Sequence, residues 1–461
     1  MNKLITVRFL FLLLICGVAQ AQNNKQPLAV SPPMGWNSYN CFGATVRENE
    51  VKANADVMAN QLHQFGWEYI VIDYCWFYPH PPMSLQDNPP QFRLPKDGSY
   101  VPWLAMDDFG RLLPDQGKFP SCPTSVGFKP IADYVHGLGL KFGIHLMRGI
   151  PRQSVWAKTP VKGAIGIDAS LIADTASTCG WLNSMYGINM DKDGAQEYLN
   201  SLFELYAQWG VDFVKIDDLS NPYSTEEIEG YHKAIDVCGR EMVFSTSPGA
   251  TPLNEGSHVA KQANMWRVSG DFWDNWEQLF NMFELANQWT PYRTTGHWPD
   301  LDMLQLGRLS RRGPVGNERE TRFTKDEQYT HLTLWCIAKS PLMMGGDLTV
   351  ADSFTVSLLS NEEVLAVNQN SINNRQVKKE NGIVIWMADI PNSNDKYVAF
   401  FNTSDHKAKF SIELKELGLK GKLEFRDLWE KKDLGKFNRV FTTELNGHAC
   451  SIYKINSFKN K

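Results

Sequence analysis

The chain has 461 residues, too many for one small domain and enough for a barrel of about 250 residues plus an accessory domain. Its formal net charge is −5, with Lys and Arg scattered along the chain, which argues against a nucleic-acid or anionic-membrane binder built on basic patches. Fifteen Trp, fifteen Tyr and twenty-five Phe suit a large core and also stacking against sugar rings.

The first 21 residues read as a secretory signal peptide: basic Lys3 and Arg8, an apolar run from Phe9 to Val18, then small Ala19 and Ala21 before a cut. The run is too short and wrongly flanked for a membrane span. Cys16 offers a lipoprotein alternative, weakened by Ile15 immediately before it. The mature protein is therefore expected to be exported, to a periplasm or beyond, without membrane attachment. Seven cysteines remain after removal, with no C-x-x-C pair and no His at zinc-finger spacing, so no structural metal is expected. An exported setting permits one or two disulfides.

Residues 22–368 alternate short apolar runs with amphipathic stretches, the pattern of βα repetition. "MGWNSY", "YIVIDYCW", "KFGIHLM", "FVKIDD", "MVFSTSP", "MWRVSG", "LDML" and "PLMMGGD" are the eight predicted strands. Between the first two, Thr45 and Glu48 match a capping box, and Val51, Ala55, Met58 and Leu62 follow at the spacing of one helix face. "DGAQEYLNSLFELYAQWG" and "FTKDEQYTHLTLWCIAKS" read as helices before strands four and eight. Eight such units make an α/β fold, a closed (β/α)8 TIM barrel; an open doubly wound sheet lacks its glycine-rich phosphate turn here. Two long connections, Phe77 to Phe128 and Gly149 to Asp191, follow strands and would rise at the substrate-binding face. Residues 369–461 change texture. "GIVIWMADI", "KYVAFFNTS", "KFSIEL", "LEFRDLW" and "ACSIYKI" are short alternating strands of a C-terminal antiparallel β-sandwich domain.

Acids at the carboxyl ends of barrel strands converge on one pocket. Asp73 ends strand two, Asp217 and Asp218 end strand four, Asp271 follows strand six, and Asp302 lies at strand seven. Any one of these would ordinarily be a cap, but several on one face repel unless cations or chemistry compensate. A carboxylate pair suits glycoside cleavage, one attacking or activating water and the other protonating the leaving oxygen. Lys215 shares a strand face with Asp217 and would hold it ionised; Arg267 stands similarly before Asp271. A purely structural ion pair is the bland alternative. Metal-dependent hydrolysis would need imidazoles at strand ends, yet strand one has none and only His145 clearly lies on a strand. No G-x-S-x-G elbow is present.

"PPMGWNSYNCFG", "YIVIDYCW", "GLKFGIH", "WGVDFVKIDD", "MWRVSGDFWDNW", "WPDLDML" and "LWCIAKSPLMMGGDL" together resemble glycoside hydrolase family 27, over nearly all of the chain after the leader. That family comprises melibiase-type α-galactosidases and α-N-acetylgalactosaminidases. The resemblance implies a retaining double displacement with no cofactor and no metal. Asp217 would be the nucleophile and Asp271 the general acid/base. Asp73, Lys215 and Arg267 match sugar-contacting positions, and Tyr39 matches an aromatic platform under the ring. Asp218 would shape the loop.

The sequence departs from the family where the sugar is chosen. Tyr74 replaces the second acid of a D-D-C-W motif, near the hydroxymethyl group; His145 replaces a common Tyr; Ser247 and Ala250 are small where galactose-specific members carry bulkier residues beside O2. The reading is thus an exported α-galactosidase acting on galactose-containing oligosaccharides or glycans. The same machinery on α-N-acetylgalactosaminides or β-L-arabinopyranosides is the alternative, and a non-catalytic carbohydrate-binding barrel the remote one.

Overall fold

The computed structural model describes residues 28–79, 92–93, 100–101 and 104–457. The segment read as a signal peptide, with Cys16, and part of the first long connection lie outside them. Eight parallel strands form the catalytic sheet: β1 Met34–Asn37, β2 Tyr69–Ile72, β3 Lys141–Met147, β4 Phe213–Asp217, β5 Val243–Thr246, β6 Met265–Arg267, β7 Trp298–Asp300 and β8 Leu342–Met344. Their order runs β7-β6-β5-β4-β3-β2-β1-β8. The remaining gap is bridged by one parallel contact, Leu304 to Met344, in which Leu304 N–H donates to Met343 O and Leu304 O accepts from Gly345 N–H. The sheet thereby closes into the expected barrel.

Strand alternation divides each strand between two cores. Tyr69, Val71, Phe213, Val243, Met265, Trp298 and Met343 fill the barrel interior, whereas Ile70, Ile72, Val214, Ile216 and Trp266 face the helical shell. Two glycines make the interior layer fit. A Cβ on Gly35 would stand 2.5 Å from Tyr69 O, and one on Gly143 would stand 3.0 Å from Phe213 Cβ. Gly35 therefore lets the Tyr69 backbone approach closely and Gly143 leaves room for the Phe213 side chain; the Tyr69 and Phe213 ring centroids lie 5.6 Å apart.

Two local expectations change. The seventh strand is "WPD", not "LDML", because backbone pairing with β6 stops at Asp300 and Asp302 takes a left-handed φ of 80°. The helix after β1 spans Glu48–Val57, with Arg47 preceding it and donating its N–H to Glu50. Thr45 instead donates to Phe42 O, so the Thr45–Glu48 capping box does not form. Val51, Ala55, Met58 and Leu62 are buried as their spacing requires.

The second long connection is not a bare loop. It folds as a small antiparallel sheet of Ile150–Pro151, Ala173–Thr178 and Met185–Ile188, standing over the carboxyl end of β3. Cys41, Cys75, Cys122, Cys179, Cys336 and Cys450 form no disulfide with one another.

The C-terminal strands are β9 Ile372–Glu380, β10 Ile383–Asp389, β11 Lys396–Asn402, β12 Ala408–Glu413, β13 Leu423–Asp427, β14 Lys432–Phe437, β15 Val440–Leu445 and β16 Cys450–Ser457. Six form one antiparallel sheet, β9-β10-β11-β16-β13-β14, and β12 pairs with β15. Alternation again divides the residues. Trp386, Ala399, Phe401 and Ile452 join the barrel core, while Ile385, Val398, Phe400 and Phe425 form a separate core with Phe441 of β15. Between barrel and sheet lies the helix Lys325–Ala338, buried on nearly every side and capped by Thr324 and Glu327.

Candidate active site

The interior side of each strand carries the predicted residues to the carboxyl end of the barrel. On β4, Phe213, Lys215 and Asp217 share that side, and β3 sets His145 beside Lys215 and Met147 beside Asp217. Asp217 is 6 % exposed. Its Oδ1 lies 3.7 Å from Lys215 Nζ and has no hydrogen-bond partner. His145 Nε2 approaches Oδ2 to 3.0 Å but off hydrogen-bond alignment, so both ring nitrogens are also unpartnered. Burial opposes the Asp217 charge, but Lys215 and His145 outweigh it and hold the carboxyl below its ordinary range.

Asp73, one residue past β2, is fixed from four directions. Its Oδ2 accepts from Asn37 Nδ2 at 2.7 Å and Lys215 Nζ at 3.0 Å; its Oδ1 accepts from Tyr74 N–H, and its own N–H donates to Ser38 Oγ. Burial again works against ionisation and Lys215 again prevails, keeping Asp73 depressed. Lys215 in turn is held protonated by Asp217 and Asp73 despite its burial. Two buried carboxylates thus share one ammonium group, which leaves Asp217 charged and under-bonded.

Asp271 differs. Its side chain is 45 % exposed and touches Arg267 Nη2 at 3.3 Å. Arg267 is buried, anchored to Asp302 at 2.7 Å and to Gly270 O at 2.6 Å. Asp271 and Asp217 nonetheless act on common groups. Both raise the Tyr39 phenol, after burial, and both support the charges on Lys215 and Arg267. Asp217 is thus sunk and shielded and Asp271 exposed, while the charges of both reach Tyr39, Lys215 and Arg267. Tyr39 lies 5.6 Å from Lys215 Nζ and edge-on to Tyr74, which meets His145 edge-on at 5.5 Å. Ser247 is wholly buried, with its hydroxyl unpartnered.

Asp218 takes a left-handed φ of 69°, which turns its side chain away from the barrel interior. Arg148 grips Asp218 Oδ2 through Nε and Nη2 at 3.1 and 2.9 Å, Glu227 through Nη1 at 2.6 Å, and Ser177 Oγ through Nη2 at 2.9 Å. Its backbone N–H also donates to Asp217 O. Among the described residues no group of three or more His, Cys, Asp and Glu is arranged to hold a metal.

Known proteins resemble this chain over most of its length. Residues 188–370 match the family model described as α-galactosidase A, and residues 380–455 match the α-galactosidase C-terminal β-sandwich domain. A family 27 β-L-arabinopyranosidase of Geobacillus stearothermophilus is 48 % identical, covering 94 % of this chain and 98 % of that one with a TM-score of 0.88. The chain belongs to glycoside hydrolase family 27. It is a glycoside hydrolase with the family's barrel and β-sandwich. A Bacillus halodurans protein provisionally titled an α-N-acetylgalactosaminidase is 44 % identical over 93 % of this chain and 97 % of that one, with a TM-score of 0.81. The α-galactosidase of Cyamopsis tetragonoloba is 29 % identical over 93 % of this chain and 87 % of that protein.

Three further residues touch the predicted ones without having stood out in the sequence. Asn37 binds Asp73 and sits on the interior side of β1, a parity visible in "MGWN". Asp300 accepts from Asp302 N–H below Arg267, within the interior layer. Arg148, directly after β3, had no local signal, because its partners lie on three separate segments.

Proposed function

We propose that the enzyme releases a terminal pyranosyl residue of galactose stereochemistry with retention of configuration, and that β-L-arabinopyranoside is its preferred glycoside. The observation carrying the sugar assignment is Tyr74. Where the family pattern places a second acid near the hydroxymethyl group, this chain buries an aromatic ring between Tyr39 and His145. β-L-Arabinopyranose has the ring stereochemistry of α-D-galactose without that group. The 48 % identity to a β-L-arabinopyranosidase supports the same reading.

In the first step, Asp217 Oδ1 attacks the anomeric carbon while Asp271 donates a proton to the departing oxygen, giving a glycosyl ester. Asp271, now ionised, takes a proton from water, which attacks the anomeric carbon and breaks its bond to Asp217, freeing the carboxylate. The free Oδ1 of Asp217 and the exposed carboxyl of Asp271 suit these two roles. Asp73, Lys215 and Arg267 would hold sugar hydroxyls, and Tyr39 would lie against the ring.

α-D-Galactoside is the second reading, favoured by the α-galactosidase descriptions of both family models and by curated relatives at 25–29 % identity. The nitrophenyl derivatives of β-L-arabinopyranose, α-D-galactose and α-N-acetylgalactosamine separate the readings. We expect kcat/KM for the arabinoside to exceed that for the galactoside at least about tenfold, a transition-state difference of about 1.4 kcal/mol. The reverse order would overturn the sugar assignment. Proton NMR of the first product should show the retained anomer; an inverted one would overturn the double displacement. Export rests on the leader sequence, and cell fractionation tests it. Among the described residues no helix is long and apolar enough to cross a membrane.

A further inference from the structure

The opposite end of the barrel holds a second cleft. It encloses about 1080 Å³, part of it open solvent, and its walls include Val30 before β1, Arg293, Trp298 at the start of β7, Lys339 before β8, and Ser371 and Asn374 at the entry to the β domain. These residues stand at the amino ends of the strands, whereas Asp217 and Asp271 stand at or past the carboxyl ends of theirs.

Two cations in this cleft have no counter-charge. Lys339 is 6 % exposed, occupies a left-handed cap with φ of 56°, and donates to Ser371 O at 2.8 Å. Arg293 donates to Ala338 O at 2.7 Å and to Asn374 O at 2.6 Å. Among the described residues no carboxylate lies within ion-pair distance of either, and the Lys339 ammonium lies 5.2 Å over the Trp298 ring. Lys215, Arg267 and Arg148 meet acids, while buried Lys118 is likewise held by carbonyls but stands alone. Carbonyl capping accounts for one donor of Lys339 and two of Arg293. An ammonium has three donors and a guanidinium five, so most of the hydrogen-bonding capacity of the pair is uncommitted. Arg375, also on the cleft wall, is only partly neutralised: Asp389 lies 4.0 Å away and is closer to Lys396, at 3.1 Å.

Burying like charges together without an acid is unfavourable. Burial, with Arg293 adding to it, pulls the Lys339 ammonium down to about 7, and burial pulls Arg293 down to about 10. A bound oxyanion would supply the missing charge and accept the spare donors in a charge-assisted geometry.

We propose that Lys339 and Arg293 form an anion-binding site for a sulfate, phosphate or carboxylate group at the amino end of the barrel, separate from the catalytic pocket. The group could arrive as a free inorganic ion or as part of an acidic saccharide. Titration calorimetry of the whole protein with sulfate, phosphate and glucuronate, against chloride at matched ionic strength, tests this. Thermal shifts are unsuitable because sulfate stabilises folded proteins generally. Saturable one-to-one heat is expected with at least one oxyanion, weakened about tenfold or more in Lys339→Met. Glucuronate binding tighter than the inorganic ions supports the saccharide source; binding of inorganic ions alone supports the free ion. If Lys339→Met does not fold, wild-type crystals soaked in selenate should give an anomalous peak between Lys339 and Arg293. Absence of saturable heat from all three ions together with absence of that peak overturns the site, as does undiminished binding in a folded Lys339→Met.

Discussion

Two adjacent aspartates meet different fates because one backbone angle separates them. Asp217 continues the interior side of β4, whereas the left-handed φ of Asp218 turns the next carboxylate onto Arg148. This division was legible in part: the spacing of Lys215 and Asp217 places both on one strand face, while nothing in "KIDD" says where the second acid turns. The pairing of Asp73 with Lys215 was less legible, since it joins residues 142 positions apart. The proposed double displacement gives Asp217 and Asp271 opposite chemistry, and their variants should differ accordingly. Asp217→Ala is expected to abolish turnover while circular dichroism stays native. Asp271→Ala should cost about 10²–10⁴-fold on poor leaving groups and much less on activated nitrophenyl ones, with azide restoring rate by taking the place of activated water. Equal losses on both substrate classes would contradict the acid/base role.

At the level of elements, the barrel strands were readable because each pairs an apolar interior with a polar carboxyl end. The seventh was misplaced by three residues: "LDML" is the more apolar run, but Pro299 and Asp300 pair with Trp266 and Arg267. In the β domain the missed strands are β9, β14 and β15, whose side chains are mostly polar or exposed, so alternation gives no contrast there. The inserted sheet over β3 also escaped notice. Its link to the site is the Arg148 cluster, which joins Ser177 of that sheet to Asp218 and Glu227. Breaking a buried ion pair from one side typically costs about 3–5 kcal/mol. Arg148→Met should therefore lose stability on that order in urea unfolding, and Arg148→Lys should recover only part of it, because an ammonium cannot reproduce the two-nitrogen grip on Asp218.

Over the whole molecule, barrel and β domain share one apolar core through the buried helix Lys325–Ala338. His331 in that helix is fully buried among Phe272, Phe323 and Trp335, with both nitrogens unpartnered. Burial holds its folded value down to about 3, against about 6.5 in an unfolded chain. As pH falls below about 6.5 the unfolded chain takes up a proton that the folded one refuses. The stability present above that pH is therefore lost progressively toward pH 3, by about 2–3 kcal/mol at about pH 4.5. His331→Leu should show a shallower fall than wild type in urea titrations across this range; parallel curves would contradict the assignment.

The lone Leu304–Met344 bridge has a consequence for how the barrel breathes. Seven of its seams are continuous strand pairings, while the eighth hangs on two amide contacts that Leu304, beyond the end of β7, makes with β8 and the residue after it. Sub-global opening follows the weakest run of backbone pairing, so the cylinder should unzip between β7 and β8 first. Hydrogen–deuterium exchange should then find the Leu304 and Gly345 amides trading their protons well before those of β3 and β4. The same parting would loosen the ground beneath Asp302 and Arg267 and leave Asp217 and Lys215 undisturbed.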